Sequence, residues 1–113
     1  MIEHIHPGDL AAWIEKMKPH GQPLVLDVRE SFELAQASIQ ADGFELVHIP
    51  MGAIPPRLNE LDPSRPVACL CHHGGRSMQV ASFLAHQGFA HVANISGGIN
   101  AWSIQVDPTI PRY

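Results

Sequence analysis

Five short apolar segments along the chain predict β-strands, and the stretches between them carry apolar residues at helical spacing. The apolar segments are residues 2–5, 24–28, 46–49, 67–70 and 91–95. The helical segments are residues 8–17, 31–36 and 77–88, with a helical turn at 57–61. Strands that alternate with helices are typical of α/β proteins with a mainly parallel sheet. We therefore predict an α/β fold of this kind.

The first helical segment has the clearest pattern, because its apolar residues fall on one face of a helix: Leu10, Trp13, Ile14 and Met17. The second segment, 31–36, is short, and Ser31 is a suitable residue to cap its start. The third segment, 77–88, ends in Gly88, a residue that commonly terminates helices. These patterns predict helices that pack on the sheet and leave polar residues in solvent.

The length and composition favour one globular domain spanning residues 1–113. The chain is 45% hydrophobic and 16% charged, and a domain of this size buries roughly two-thirds of its unfolded surface. The N-terminal residues have neither a basic start nor the apolar run of a secretory signal. No apolar stretch approaches the roughly 20 residues that cross a bilayer. Two cysteines do not make a disulfide framework, so we expect a cytoplasmic protein without a membrane partner.

The charge pattern bears on the ligands that the protein could bind. The formal net charge of −4 makes nucleic acid an unsuitable partner. Acidic residues are absent between Asp62 and Asp107, and this interval contains Arg65, Arg76 and four histidines. The local potential there is expected to be neutral to positive and to suit an anion. The alternative is that Asp27, Glu30 or Glu33 folds back beside this segment.

Cys71 stands at the junction of the fourth strand and the third helix, and it is the candidate nucleophile. Unpaired N–H groups and the helix dipole at such a junction stabilise a negative charge. A cysteine placed there should ionise more readily than a free thiol. Gly74 and Gly75 would let the loop turn its amides inward. Asp27 also ends a strand, so it should lie at the same edge of the sheet as Cys71.

Four residues separate Cys71 from Arg76, whereas cysteine-dependent phosphatases and arsenate reductases have five residues in the related loop. The pattern Cys-x-x-Gly-x-Arg-Ser at 71–77 resembles the active-site loop of rhodanese-type sulfurtransferases. Three further segments resemble motifs of that family in the expected order: residues 24–30, 48–55 and 95–102. The resemblance implies an open sheet of about five strands with helices on both faces. It also implies a persulfide on the cysteine and no cofactor.

The resemblance implies the following roles. The Cys71 thiolate would take the outer sulfur of a small anionic donor such as thiosulfate, and a thiol, cyanide or a protein cysteine would accept it. The loop that holds the persulfide comprises His72, His73, Gly74, Gly75, Arg76 and Ser77. Arg76 would either bind the donor or brace the loop through a carboxylate such as Asp27 or Glu30. Asp27 and Arg29 are supporting residues, and Arg29 is expected to pair with a nearby carboxylate.

Other interpretations remain open at this point. The protein could be a persulfide carrier or an interaction module that acts with a protein partner in sulfur trafficking. A phosphatase or arsenate reductase is disfavoured by the shorter loop. A metal site at Cys69, Cys71, His72 and His73 is also disfavoured, because ligands so close in sequence cannot easily surround one ion. Cys69 is expected to pack in the core rather than to form a disulfide with Cys71.

Overall fold

The computed structural model describes residues 2–113, and its strands form one sheet. The strands are β1 (Ile2–Ile5), β2 (Leu24–Asp27), β3 (Glu45–His48), β4 (Val67–Leu70) and β5 (Val92–Ile95). They are hydrogen-bonded in the order β1-β5-β4-β2-β3, and every neighbouring pair is parallel. The three central strands are buried along their whole length, as their continuous apolar sequences require.

The helices are α1 (Leu10–Met17), α2 (Ser31–Gln36), α3 (Gly75–His86) and α4 (Gly98–Gln105). Short 3-10 turns occur at Pro7–Asp9, Lys18–His20, Met51–Ala53 and Pro55–Glu60. The α/β fold with a parallel five-stranded sheet, predicted from the sequence, is therefore confirmed.

The sheet separates two apolar clusters, because successive side chains of a strand point to opposite faces. On one face, Val25 and Leu70 pack with the buried residues of α1 and with Trp102 of α4. On the other face, Leu26 and Cys69 pack with the buried residues of α3. Helices therefore cover both faces of the sheet, and Cys69 lies in the core, as expected.

The predicted elements differ from the observed ones mainly at their ends. Helix α2 begins at Ser31, but its N-cap is Glu30, so the expectation of a Ser31 cap is wrong by one residue. Helix α3 begins at Gly75, two residues before the predicted start, because Gly74 with φ +107° forms the cap. Helix α4 was not predicted, since Gly97 and Gly98 indicate a turn by their composition.

The sheet register places the candidate residues at one edge. Asp27 is paired with Leu70, and Cys71 is the next residue along the chain. The Val28 N–H donates to the Leu70 carbonyl over 2.9 Å, which extends the pairing of β2 and β4 up to this edge. The carboxyl ends of β2 and β4 therefore place Asp27 and Cys71 at the same edge of the sheet. Among residues 2–113, no helix is both long and apolar enough to cross a membrane.

Candidate active site

The Cys71 sulfur is buried at the N-terminal end of α3. The residue is 1% exposed. Its Sγ accepts a hydrogen bond from the Gly74 N–H over 3.0 Å and lies 3.2 Å from the Ser77 hydroxyl. Both donors point at the sulfur from the first turn of a 12-residue helix, where the helix dipole also favours an anion. This environment stabilises negative charge on Cys71 or on a sulfur atom attached to it.

The loop amides contribute to this environment unequally. The sequence predicts that amides from His72 to Ser77 converge on the sulfur. In the described chain, Gly74 supplies the backbone N–H that donates to Sγ, and Ser77 adds its side-chain hydroxyl. Gly75 is exposed, and its N–H makes no hydrogen bond to Sγ within residues 2–113. The observed donor set is therefore one amide and one hydroxyl.

Asn94 fixes the Ser77 hydroxyl, and sequence analysis did not identify it. The Ser77 Oγ lies 2.6 Å from the Asn94 Oδ1 and 3.1 Å from the Gly74 carbonyl oxygen. The Asn94 amide nitrogen donates to the same carbonyl over 3.3 Å. A hydroxyl has one proton, so a negative charge on Sγ would draw that proton away from the other acceptors. A buried asparagine inside the apolar strand β5 was the available sequence signal.

Helix α4 holds the backbone of Cys71 and His72 in place. The Ile99 N–H donates to the Cys71 carbonyl over 2.9 Å, and the Asn100 N–H donates to the His72 carbonyl over 3.1 Å. These are amides of the first helical turn, which have no partner inside their own helix. Gly98 has φ +58°, and a Cβ there would lie 2.5 Å from the His72 carbonyl oxygen. The close approach therefore requires glycine.

Arg76 forms a two-pronged ion pair with Glu33. Its Nη1 and Nη2 donate to the two carboxylate oxygens over 2.7 and 2.8 Å. Glu33 also accepts the Glu30 backbone N–H over 2.9 Å, which fixes the carboxylate at the start of α2. A carboxylate therefore folds back beside the loop and offsets the positive charge of Arg76. Of the two roles that the sequence allows for Arg76, this geometry is that of a brace, with Glu33 as the carboxylate rather than Asp27 or Glu30.

Asp27 and Arg29 form a second, fully buried ion pair. The Arg29 residue is 0% exposed, and its Nη2 and Nε donate to Asp27 oxygens over 2.8 and 3.0 Å. Burial opposes the charge on Arg29, but hydrogen bonds to Asp27 and Tyr113 outweigh it and raise the pKa of Arg29. The expected pairing of Arg29 with a nearby carboxylate is thus observed at Asp27.

Tyr113 connects the two ion pairs, and sequence analysis did not identify this role. Its hydroxyl accepts a hydrogen bond from Arg29 Nη1 over 2.9 Å and donates to Glu33 Oε1 over 3.0 Å. Its ring stacks on His72, with 3.8 Å between the ring centroids and 9° between the planes. Tyr113 therefore contacts the loop directly and through Glu33.

The two loop histidines stack on each other at 3.9 Å, with His72 half-buried and His73 exposed. Burial, together with the charge of His73, lowers the pKa of His72. The Nε2 atom of His72 is buried and has no hydrogen-bond partner within residues 2–113. These surroundings favour the neutral form of the His72 ring.

Cys69 differs from Cys71 in its surroundings. It is 0% exposed, and burial, with a smaller effect of the Cys71 charge, raises the pKa of its thiol to about 12. Both cysteines are free, and no cluster of three metal-ligating side chains occurs within the described residues. A thiol that stays protonated is a poor nucleophile, so this environment disfavours Cys69 as the reactive position.

Glu33 should make the free energy of unfolding depend on pH in the acidic range. Hydrogen bonds from Arg76 outweigh burial and lower the pKa of Glu33 from 4.5 to about 2. The folded-state pKa lies below the unfolded value, so this stabilisation is complete above pH 4.5 and disappears as the pH falls towards 2. It amounts to at most about 3 kcal/mol, because water screens the partly exposed Arg76. Glu33→Gln should flatten the pH dependence of the unfolding free energy over this range.

The measurement is chemical denaturation at several pH values between 2 and 7, compared with Glu15→Gln as the matched control. Glu15 lies on the exposed side of α1 and pairs with the exposed Lys18. Its replacement should leave the pH profile unchanged. Equal profiles for the Glu33 variant and the wild type would contradict the assignment of this acid dependence to Glu33.

Comparison with known proteins identifies the family. The sequence model of the family described as "Rhodanese-like domain" matches residues 8–105, which is most of the chain. The chain therefore belongs to the rhodanese-like domain family, as its resemblance implies.

The individual relatives agree with this assignment. The chain is 45% identical over 91 residues to the Rhodanese-like/PpiC domain-containing protein 12 of Arabidopsis thaliana, covering 79% of this chain but 30% of that protein. It is 35% identical over 91 residues to the thiosulfate sulfurtransferase GlpE of Actinobacillus pleuropneumoniae, covering 80% and 79% of the two chains. A crystal structure of a rhodanese-related protein from Thermoplasma volcanium superimposes with a TM-score of 0.76 at 30% identity, covering 98% and 99%.

Proposed function

We propose that this protein is a sulfurtransferase that carries a sulfane sulfur as a persulfide on Cys71. The observation that carries the proposal is the placement of the Cys71 Sγ between the Gly74 N–H and the Ser77 hydroxyl at the start of α3. These donors stabilise a thiolate before the reaction and a terminal persulfide sulfur after it, as an oxyanion hole stabilises an alkoxide. The family assignment supports sulfur transfer in general.

The first half-reaction loads the cysteine. The Cys71 thiolate attacks the outer sulfur of thiosulfate, a sulfur–sulfur bond forms on Cys71, and sulfite leaves with the electron pair of the broken bond. Charge is conserved, because a thiolate and a thiosulfate dianion become a persulfide anion and a sulfite dianion. Support for thiosulfate as the donor comes from the relative whose name contains this activity. The buried position of Cys71 favours a small donor over a bulky one.

The second half-reaction unloads the cysteine. A nucleophile attacks the outer sulfur of the persulfide, and Cys71 leaves again as a thiolate. Cyanide becomes thiocyanate in this step, and a thiol becomes a persulfide. A small thiol or a protein cysteine would serve as the acceptor in the cell. A reducing compartment such as the cytoplasm suits this cycle, since both cysteines are free thiols.

A second candidate function is a persulfide carrier that acts with a protein partner. Phe32 favours it, because this large apolar side chain is 67% exposed and stands next to Glu33, the residue that braces Arg76. A protein acceptor that approaches the loop would cover such a residue. Slow turnover with cyanide, together with rapid transfer to one protein thiol, would favour the carrier.

The test is intact-mass measurement of the reduced protein after treatment with thiosulfate. We expect the mass to increase by one sulfur atom, the added sulfur to map to the peptide that contains Cys71, and cyanide to remove it. The matched control is Cys69→Ala, which should gain and lose the same sulfur because Cys69 is a core residue. A protein that gains no sulfur from thiosulfate or from other sulfane donors would contradict the proposal.

A further inference from the structure

Tyr113 connects the beginning and the end of the active-site loop. Its ring stacks on His72, the first residue after the nucleophile. Its hydroxyl donates to Glu33 over 3.0 Å, and the same carboxylate holds Arg76, the sixth residue of the loop that Cys71 opens. The Tyr113 side chain therefore contacts the start of the loop at His72 and, through Glu33, its end at Arg76.

The Tyr113 hydroxyl is held from the opposite side by a buried cation. Arg29 donates to it from Nη1 over 2.9 Å, while the other nitrogens of the guanidinium are fixed on Asp27. Hydrogen bonds to charged groups are the stronger kind. This hydroxyl joins the Asp27–Arg29 pair to the Glu33–Arg76 pair, and Arg29 Nη1 also donates to the Glu33 carbonyl over 3.4 Å.

The segment that leads to Tyr113 is anchored at Ile110, a buried residue of the apolar cluster that contains Trp102. The Ser103 hydroxyl anchors it at the Ile110 carbonyl over 2.6 Å, but the next residues, Pro111 and Arg112, are exposed. A cavity of about 670 Å³ borders the same segment on the side of Trp102. Release of Tyr113 breaks its ring stack with His72, its ring contact with Arg29, two hydroxyl hydrogen bonds and its packing against the apolar cluster that contains Trp102, and it leaves the sheet intact. Local openings of this size occur at much lower free energy than global unfolding.

Cys71 is 1% exposed, so a sulfur donor needs a movement at the loop before it can reach Sγ. We propose that Tyr113 is a latch on the active-site loop: its release opens access to Cys71, and its return encloses the loaded sulfur. Tyr113 acts through His72 and Glu33 and is thus a positioning residue. The inference rests on the proposed function, since it assigns a route to the same cysteine.

The test measures the reaction of reduced protein with iodoacetamide, a small neutral reagent, by intact mass and peptide mapping. Tyr113→Ala, which removes the stack and both hydrogen bonds, should speed alkylation of Cys71 by at least about tenfold. Tyr113→Phe keeps the ring and should give an intermediate rate. Arg112→Ala is the matched control, because this neighbouring side chain is exposed, and it should react at the wild-type rate.

Cys69 serves as an internal reporter of global unfolding, because it is 0% exposed in the core. The latch requires Cys71 to react while Cys69 stays unmodified. A wild-type rate in Tyr113→Ala, or simultaneous alkylation of both cysteines, would overturn it. If Tyr113→Ala does not fold, the Tyr113→Phe variant decides: a wild-type rate of Cys71 alkylation in that variant would also overturn the latch.

Alkylation does not require sulfur transfer, so the two proposals fail separately. Accelerated alkylation of a protein that gains no sulfur from any donor would refute the persulfide function and support the latch. Sulfur gain with unchanged alkylation rates would refute the latch and support the persulfide function.

Discussion

Cys71→Ser should abolish sulfur transfer, with a loss of turnover on the order of 10⁶-fold, the cost of removing a nucleophile. A serine hydroxyl does not ionise in this environment and cannot carry a persulfide. The neighbouring donors Gly74 and Ser77 belong to the loop backbone and to α3, so the fold should be preserved. The measurements are the rate of thiocyanate production from thiosulfate and cyanide, and the thermal midpoint of unfolding.

Cys69→Ala provides the contrast for this experiment. Cys69 lies two residues earlier, inside β4, and its thiol stays protonated because burial raises its pKa to about 12. The variant should keep most of its turnover and lose only some stability from a small cavity. A loss of turnover as large as that of Cys71→Ser would show that both thiols take part in the reaction.

Asp27→Asn should lower the free energy of unfolding by about 3–5 kcal/mol, the cost of breaking a buried ion pair on one side. The guanidinium of Arg29 is 0% exposed, and Asp27 is the carboxylate that accepts its Nε and Nη2 hydrogen bonds. An asparagine has nearly the same shape but removes the compensating charge. Denaturation with urea, analysed by linear extrapolation, measures the difference.

Glu60→Gln is the matched control, since it also exchanges a carboxylate for an amide within an arginine pair. Glu60 and Arg57 are both exposed, and pairs of this kind contribute little. Similar losses of stability for the two variants would contradict the structural importance of the Asp27–Arg29 pair. A small loss in Asp27→Asn alone would lead to the same conclusion.

The sequence predicted those features of the site that depend on local patterns. Cys71 follows an apolar strand and precedes a glycine-rich helix start, and both signals lie within a few residues of it. Parallel strands end at a common edge, so Asp27 was expected at the same edge of the sheet as Cys71, and the register of β2 and β4 agrees. The fold class was predicted from the alternation of strands and helices, a pattern that is typical of parallel sheets.

The features of the site that the sequence did not predict depend on contacts between distant parts of the chain. Glu33 and Arg76 are 43 residues apart, and Glu33 and Tyr113 are 80 residues apart. The sequence left Asp27, Glu30 and Glu33 open as carboxylates beside the loop, but no local pattern selects Glu33 or indicates Tyr113 as its partner. Asn94 is different, because one polar residue in an apolar strand is a visible signal. Helix α4 escaped prediction since paired glycines disfavour helices, whereas here they allow its close approach.

The backbone geometry at Cys71 depends on a residue far along the chain, Gly98. The two amides that follow Gly98 hold the carbonyls of Cys71 and His72, and a Cβ at residue 98 would collide with that backbone. Any larger residue would push α4 outward and let the peptide units beside the thiol rotate. A substitution 27 residues downstream is therefore expected to displace the backbone beside the thiol without replacing a sulfur atom or a charged group.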